Sequence, residues 1–284
     1  MTRMSGANKK QAAAQKARLE REAAEKASAE RAKRLKLLGG AVVSVLVIIG
    51  IVLAVAGGGD DGTDGKDGAK ETTKLIGSLP VDGTLLGNPD APVTIHEFAD
   101  VKCPACKQWE IDSQQENVDT LVRTGKANLR LHLVNIIDPN VGTDDGALGR
   151  RAANNLVATD KFWPFVSTLY YNQGLESDSW ITEDKLKEIA DLAPGVGAAA
   201  INTRETPASR QLEADADKIF QGLRASGTPA FFVQARGTRE YTAVDSSVSA
   251  IAAGVEEATK KAKPAADGGT TSTEAAPATT TTAP

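Results

Sequence analysis

Residues 93–106 read VTIHEFADVKCPAC, and this stretch decides the fold that we expect. Its first part, Val93 to Phe98, mixes β-branched and apolar residues as a strand does. Its last part holds Cys103 and Cys106, the only two cysteines of the 284-residue chain, and a helix-forming stretch follows as far as Thr124. A strand that leads into Cys-x-x-Cys and then a helix predicts a redox-active thiol pair at the start of that helix.

The helix N-terminus predicts how each thiol behaves. Its free backbone N–H groups and its positive dipole end stabilise a thiolate on Cys103, which we expect to be the exposed nucleophile. Cys106 follows one turn later, close enough to attack a mixed disulfide formed on Cys103. We therefore expect the chain to exchange disulfides with other proteins. No bound cofactor is expected, because the cysteines themselves carry the electrons.

Other uses of a Cys-x-x-Cys pair fit less well. A zinc site needs four ligands, and the chain has no second cysteine pair. His96 and His132, the only histidines, stand at no known zinc spacing from the cysteines and are interpreted as ordinary strand residues. A structural disulfide across so short a loop removes little entropy from the unfolded chain. We therefore expect no metal site.

An apolar run precedes the cysteines in the chain. Leu37 to Ala56 comprises twenty uncharged residues, long enough to cross the hydrocarbon core of a bilayer, about 30 Å thick. Basic residues before the run place the N-terminus in the cytoplasm and everything after residue 57 outside. We favour this single-pass anchor over a cleaved signal peptide, because the run and its basic lead-in are long for one. Both alternatives place the cysteines outside the cytoplasm, where disulfides persist.

Composition divides the chain further. Residues 1–36 carry a net charge of +7 but no apolar stripe, so we expect a solvated segment attracted to lipid, with no nucleic-acid partner. All twelve aromatic residues lie between Phe98 and Tyr241, which locates the packed core. We expect five segments: a basic cytoplasmic helical or disordered segment (1–36), a transmembrane helix that contacts lipid (37–56), a flexible Gly/Asp-rich linker (57–79), one folded domain (80–262) and a disordered Thr/Ala/Pro-rich tail (263–284).

Hydrophobic periodicity gives the order of elements within residues 80–262. The second strand, residues 128–135, alternates polar and apolar side chains. A helical block of about residues 138–205 follows, then a helix that stops at Gly227, two short strands and a last helix. The predicted order is β-α-β, a helical block, then α-β-β-α.

This arrangement resembles the DsbA family of bacterial thiol-disulfide oxidoreductases over about residues 80–262. The resemblance implies an α/β, thioredoxin-like fold with an inserted helical domain, preceded here by one transmembrane helix. Four motifs carry the resemblance: CPAC at 103–106, Glu97-Phe98 before it, KQWE at 107–110, and GTPAFFV at 227–233, which looks like a cis-proline loop.

The resemblance also implies roles for individual residues. Glu97 is the first choice, and Glu110 the second, for the acid that exchanges protons with the thiols, since buried carboxyls have raised pKa values. Pro229 has no N–H, so a substrate backbone can pair with Thr228 in a strand-like contact. The expected substrate-binding residues are Pro104, Ala105, Thr228 and Pro229.

The chain departs from the best-known pattern of this family at Ala105. Strongly oxidising members carry His there, which helps to stabilise the first thiolate. Reduction potentials of thioredoxin-fold enzymes span about 150 mV, which separates oxidases from reductases. We expect an extracytoplasmic oxidase that introduces disulfides into secreted or cell-envelope proteins and is reoxidised by a quinone-linked membrane partner. A reductase or isomerase with the same site, and a non-catalytic binding module on a thioredoxin fold, remain as alternatives.

Overall fold

The computed structural model describes residues 65–264. The predicted cytoplasmic segment, transmembrane helix and nearly all of the tail lie outside these residues. Within the described range, no helix has the length and apolar character needed to cross a membrane.

A mixed sheet forms the centre of the described residues. Its neighbours run in the order β1-β2-β4-β3-β5-β6. Strands β3 and β4 are parallel, and every other pair of neighbours is antiparallel. The strands are β1 (Val81–Asp82), β2 (Leu85–Leu86), β3 (Val93–Ala99), β4 (Asn128–Leu133), β5 (Ala230–Ala235) and β6 (Thr242–Val244).

Helices surround this sheet, and those between β4 and α8 form the helical block. Short 3₁₀ turns at Val157–Thr159 and Ala198–Ala200 interrupt that block. The α-helices are α1 (Gly65–Ile76), α2 (Pro104–Asp112), α3 (Gln114–Asn117), α4 (Ile137–Val141), α5 (Asp145–Asn154), α6 (Phe162–Tyr171), α7 (Glu183–Leu192), α8 (Pro207–Gly222) and α9 (Val248–Thr259).

The central strand β3 is buried on both faces of the sheet. Because side chains alternate along a strand, Ile95 joins the larger core, which contains α2 and α9 residues, whereas Phe98 packs on Phe220 of α8. Glu97 points to the same face as Ile95 and is therefore directed toward the helix that carries the cysteines. This alternation turns the Glu97 carboxyl toward the face of the sheet on which α2 packs.

Residues 65–76 fold as α1, so the prediction of a flexible linker over 57–79 is wrong for that part. Gly68, Thr72 and Leu75 recur at helical spacing and are buried against neighbouring elements, chiefly α6. A Cβ at Gly68 would lie 2.7 Å from Tyr171 Cβ, so glycine permits the close approach of α1 to α6. Because this segment is rich in Gly and Asp, its composition did not indicate a helix with one buried face.

The single helix predicted from Cys103 to Thr124 is also wrong, because it breaks at Ser113. Ser113 has φ −127° and ψ −28°, outside the helical region. Helix α3 and a short π-helix at Val118–Val122 follow it. The break directs Gln114 into the interior, where its side chain is fully buried. Gln114 there bonds to Glu97, a contact that a straight helix pattern could not predict.

Candidate active site

Cys103 is the N-cap residue of α2, and the chain reaches it directly from the end of β3. Pro104 occupies the first helical position, where its missing N–H leaves no hydrogen bond unmade. The backbone N–H groups of Cys106 and Lys107 donate to the Cys103 carbonyl oxygen at 3.1 and 3.2 Å. Pro104 and Ala105 are exposed at the protein surface beside the thiols.

The two thiols have opposite acidities. A hydrogen bond from Cys106, with backbone N–H groups of Cys106 and Ala105, lowers the pKa of Cys103 to about 7, although burial opposes this shift. Burial raises the pKa of Cys106 well above its usual range, and its hydrogen bond with Cys103 and the charge of that thiolate raise it further. Cys103 is therefore the better leaving group, and Cys106 holds its proton firmly.

Cys103 is not the exposed thiol that we expected, since its side chain is only 5% exposed, against 1% for Cys106. The Thr228–Pro229 bond is cis, and this loop lies against the thiol, with Cys103 Sγ donating to Thr228 O at 3.3 Å. The expected substrate-binding residues at the start of α2 and on the cis-proline loop are thus brought together around Cys103. A groove of about 470 Å³ extends from the cis-proline loop, lined by residues 223–232 and 243–246.

Glu97 and Glu110 both lie in one buried polar network. Gln114 Nε2 donates to Glu97 Oε2 at 2.7 Å, and Ser167 Oγ donates to Glu110 Oε1 at 2.5 Å. Burial raises the pKa of Glu97 to about 8, and the negative charge of Glu110 adds to the shift. Burial raises the pKa of Glu110 to about 7, while hydrogen bonds from Ser167 and Gln114 oppose it.

Tyr170 of α6 is buried close to Glu97 and to the thiols. Its hydroxyl donates to Asp100 O at 3.3 Å. Burial raises the pKa of Tyr170 well above its usual range, and the charges of Cys106 and Glu97 raise it further. Tyr170, which was not among the expected site residues, therefore stays neutral and lies near both groups.

Gln173, just after the end of α6, is another residue of the site that the sequence did not indicate. Its Nε2 donates to Val101 O at 2.9 Å and to Cys103 O at 3.1 Å, while Lys107 Nζ donates to Gln173 O at 3.3 Å. The helical block therefore holds the backbone on both sides of Cys103. These partners are separated by about seventy positions in the chain, so no local pattern could reveal them.

A buried ion cluster lies immediately before the cysteines. Lys102 is fully buried, and its Nζ lies 2.5 Å from Asp145 Oδ1 and 3.4 Å from Asp138 Oδ1. Lys102 Nζ also donates to Thr143 Oγ1 at 2.7 Å. A buried ammonium needs such partners to offset its lost hydration. The cluster fastens the start of the helical block to the segment that carries Cys103.

The two histidines lie on the opposite face of the sheet from Glu97. His96 Nε2 pairs with Gln234 Oε1 at 3.2 Å, and His96 Nδ1 pairs with His132 Nε2 at 3.0 Å. Burial lowers the pKa of His96 to about 4 and that of His132 to about 3, so both rings are neutral at physiological pH. They form a hydrogen-bonded pair within the strands, separate from the thiols.

Comparison with known proteins places this geometry among disulfide-forming proteins. Residues 80–253 match a family model described as Thioredoxin. The chain is 32% identical over 153 residues to "Probable disulfide bond formation protein D" of Bacillus cereus, covering 52% of this chain and 68% of that protein. It is 28% identical over 168 residues to "Disulfide bond formation protein D" of Bacillus subtilis, covering 57% and 72%.

Solved structures share the fold. Oxidised BdbD from Bacillus subtilis matches with a TM-score of 0.50 at 20% identity, covering 63% of this chain and 94% of that one. A thioredoxin-like oxidoreductase from Silicibacter pomeroyi matches with a TM-score of 0.50 at 22% identity, covering 67% and 98%.

Proposed function

Because the chain belongs to the thioredoxin family and to its DsbA-like disulfide-forming proteins, we propose that it introduces disulfides into extracytoplasmic proteins through Cys103 and Cys106. The observation that carries this proposal is the unequal thiol pair at the start of α2. Cys103 has a pKa lowered to about 7, whereas the pKa of buried Cys106 is raised. Such a pair releases Cys103 easily from a mixed disulfide.

The reaction begins with the Cys103–Cys106 disulfide. A substrate thiolate attacks Cys103 Sγ, a substrate–Cys103 bond forms, and the Cys103–Cys106 bond breaks, leaving a thiolate on Cys106. A second substrate thiolate then attacks the substrate sulfur bound to Cys103. The substrate leaves as a disulfide, Cys103 leaves as a thiolate, and two electrons have passed to the enzyme.

Glu97 is our choice for the acid that protonates Cys106. With its pKa raised to about 8, it carries a proton at neutral pH and can give that proton to the high-pKa thiolate formed on Cys106. Glu110 shares the buried network, and its negative charge helps to keep the proton on Glu97. The first step thus ends with a neutral Cys106 thiol, which suits its buried position.

The substrate is proposed to dock between the start of α2 and the cis-proline loop. Exposed Pro104 and Ala105 form one side, and Thr228 with cis-Pro229 forms the other. An extended peptide can pair with the Thr228 backbone and continue into the groove beside it. Backbone pairing of this kind accepts many sequences, as a general disulfide-forming enzyme requires.

The cellular setting is also part of the proposal. The apolar run at 37–56 and its basic lead-in support a single-pass anchor with a cytoplasmic N-terminus and an extracytoplasmic thiol site. A quinone-linked membrane partner is the proposed acceptor of the two electrons from Cys103 and Cys106. The anchor is proposed from sequence that lies outside the described residues, and the partner is proposed from the family resemblance.

A direct test uses the oxidised full-length protein and a reduced peptide that contains two cysteines. We expect stoichiometric formation of peptide disulfide, with loss of the reaction in Cys103→Ser and in Cys106→Ser. In addition, Cys106→Ser given the glutathionylated peptide should accumulate a Cys103–peptide disulfide and release glutathione, because no second thiol can resolve it. A wild-type protein that leaves the peptide reduced would contradict the proposal.

A further inference from the structure

Helix α1 lies outside residues 80–253, the part that matches the thioredoxin family model, yet it reaches the polar network of the site. Thr72 is fully buried and faces α6. The absence of a side chain at Gly68 lets α1 approach α6 closely, and Leu75 joins the main core one turn beyond Thr72. The matched family segment therefore does not supply the hydroxyl that Thr72 brings.

The hydrogen bonds from Thr72 have a fixed direction. Thr72 Oγ1 donates to Ser167 Oγ at 3.0 Å, and Ser167 Oγ donates to Glu110 Oε1 at 2.5 Å. Thr168 Oγ1 lies 3.4 Å from Thr72 Oγ1, but its own proton is donated to Pro164 O at 2.8 Å. Since each hydroxyl has one proton, the chain of donation runs from Thr72 to the Glu110 carboxyl.

The network continues from Glu110 to Glu97. Gln114 is hydrogen-bonded to Glu97 Oε2 at 2.7 Å and also interacts with the Glu110 carboxyl. The negative charge of Glu110 acts directly on Glu97. A change in the protonation of Glu110 therefore changes the pKa of Glu97, the proposed proton donor to Cys106.

We propose that Thr72 is a positioning residue for the redox reaction: by directing Ser167 onto Glu110, it holds Glu110 as a hydrogen-bonded anion and so sets the proton supply at Glu97. The inference rests on the proposed role of Glu97. It assigns part of the redox apparatus to the helix that precedes the family fold.

The groups around Glu110 determine whether its titration should move to higher or to lower pH when the Thr72 hydroxyl is removed. Burial raises the pKa of Tyr171 to about 12, so this ring stays neutral, and Glu97 is the titrating neighbour within residues 65–264. Removing the Thr72 donor weakens the bond from Ser167 and favours protonated Glu110. The groups that interact with Glu110 come from four elements: Glu97 of β3, Gln114 of α3, Ser167 and Tyr171 of α6, and, through Ser167, Thr72 of α1.

The experiment compares Thr72→Val with Thr72→Ser and Thr73→Val in the full-length reduced protein. Valine keeps the shape of threonine without its hydroxyl, and serine restores the hydroxyl. Thr73 is exposed and donates to Ala69 O at 2.8 Å, so its valine variant is a matched control on the same helix. Infrared difference spectra follow the carboxylic-acid band of Glu110 against pH, with the band assigned by its loss in Glu110→Gln.

We expect Thr72→Val to move the Glu110 titration upward by about half a pH unit. Thr72→Ser and Thr73→Val should titrate as the wild type does. A wild-type Glu110 titration in Thr72→Val overturns the inference, even if that variant melts at a lower temperature. Should Thr72→Val not fold, Ser167→Ala must produce the same upward shift, and its absence overturns the inference equally.

The pH dependence of the Cys103–Cys106 reduction potential gives a second readout. In a plot of the potential against pH, the slope should change at the pKa of Glu97. Because Glu110 is more often neutral in Thr72→Val, that change of slope should move to lower pH in this variant. The infrared measurement needs no substrate, so the two proposals can fail separately. If Glu110 shifts but the wild type forms no substrate disulfide, the proposed function fails alone. If the wild type is active and Glu110 does not shift, the inference about Thr72 fails alone.

Discussion

Gln114 Nε2 lies 2.7 Å from Glu97 Oε2, a hydrogen bond that joins the break after α2 to the central strand of the sheet. Gln114 Oε1 accepts in turn from Trp109 Nε1 and Asn117 Nδ2, each at 3.1 Å. One buried amide thus holds the proposed proton donor and two further side chains in place.

Gln114→Met should destabilise the protein by about 3 kcal/mol, because Glu97, Trp109 and Asn117 each lose a buried hydrogen-bond partner. Urea denaturation at pH 7 measures the change. Gln108→Met is the control, since Gln108 is exposed on the same segment, and it should change stability by less than about 0.5 kcal/mol. Equal losses in the two variants would contradict the role given to Gln114.

Glu97→Gln should reduce the pH dependence of stability. The pKa of Glu97 is raised to about 8 in the folded protein, so the folded state keeps a proton that the unfolded chain loses. Its contribution to stability is therefore fully present below the unfolded-state pKa and is lost as the pH rises through about 8.

Denaturant titrations at pH 5 and pH 8 test this sign. We expect the wild type to lose about 3 to 4 kcal/mol more than Glu97→Gln between the two values. The exposed Glu116→Gln should behave as the wild type does. A stability that falls equally in Glu97→Gln would mean that other groups cause the loss.

Lys102→Met should destabilise the protein by about 3 to 5 kcal/mol, because Asp138 and Asp145 would lose the cation between them. Lys126→Met, at an exposed lysine, is the matched control. Calorimetric melting of the reduced proteins gives the comparison. A melting temperature unchanged by Lys102→Met would show that the ion cluster does not hold the helical block against the cysteine segment.

Alkylation should distinguish the two thiols by pH. Since the pKa of Cys103 is lowered to about 7, its reaction with iodoacetamide should reach half its maximal rate near neutral pH. Cys106 should stay unmodified there, because burial raises its pKa. Mass spectrometry of the labelled peptides assigns each site. Preferential labelling of Cys106, or an inert Cys103, would contradict the assignment of the nucleophile.

Local sequence patterns predicted the parts of the fold that depend on neighbouring residues. The strand before Cys103, the start of a helix directly after it and the family resemblance are confirmed, because periodicity and the CPAC motif are local signals. The cis bond at Pro229, which the resemblance implied, is also present. The expected catalytic acids, Glu97 and Glu110, lie together in one buried network.

Contacts between distant segments could not be predicted in this way. Tyr170 and Gln173 reach the cysteine segment from the helical block, and Thr72 reaches Glu110 through Ser167 from outside the matched family segment. Such contacts depend on how the helices pack, and neither periodicity nor composition encodes that packing. The burial of Cys103 was missed for the same reason, because the loop at Thr228 lies 125 residues further along the chain.

The equilibrium reduction potential of the Cys103–Cys106 pair in the full-length protein, measured in glutathione buffers, tests the central claim most directly. The side chain of Ala105 carries no charge and no hydrogen-bond donor, so the lowered pKa of Cys103 comes from Cys106, Thr228 and the backbone N–H groups at the helix start. We predict a potential of about −120 to −160 mV, as expected for an enzyme that donates disulfides. A value of about −250 mV or below would contradict the account and indicate a reductase.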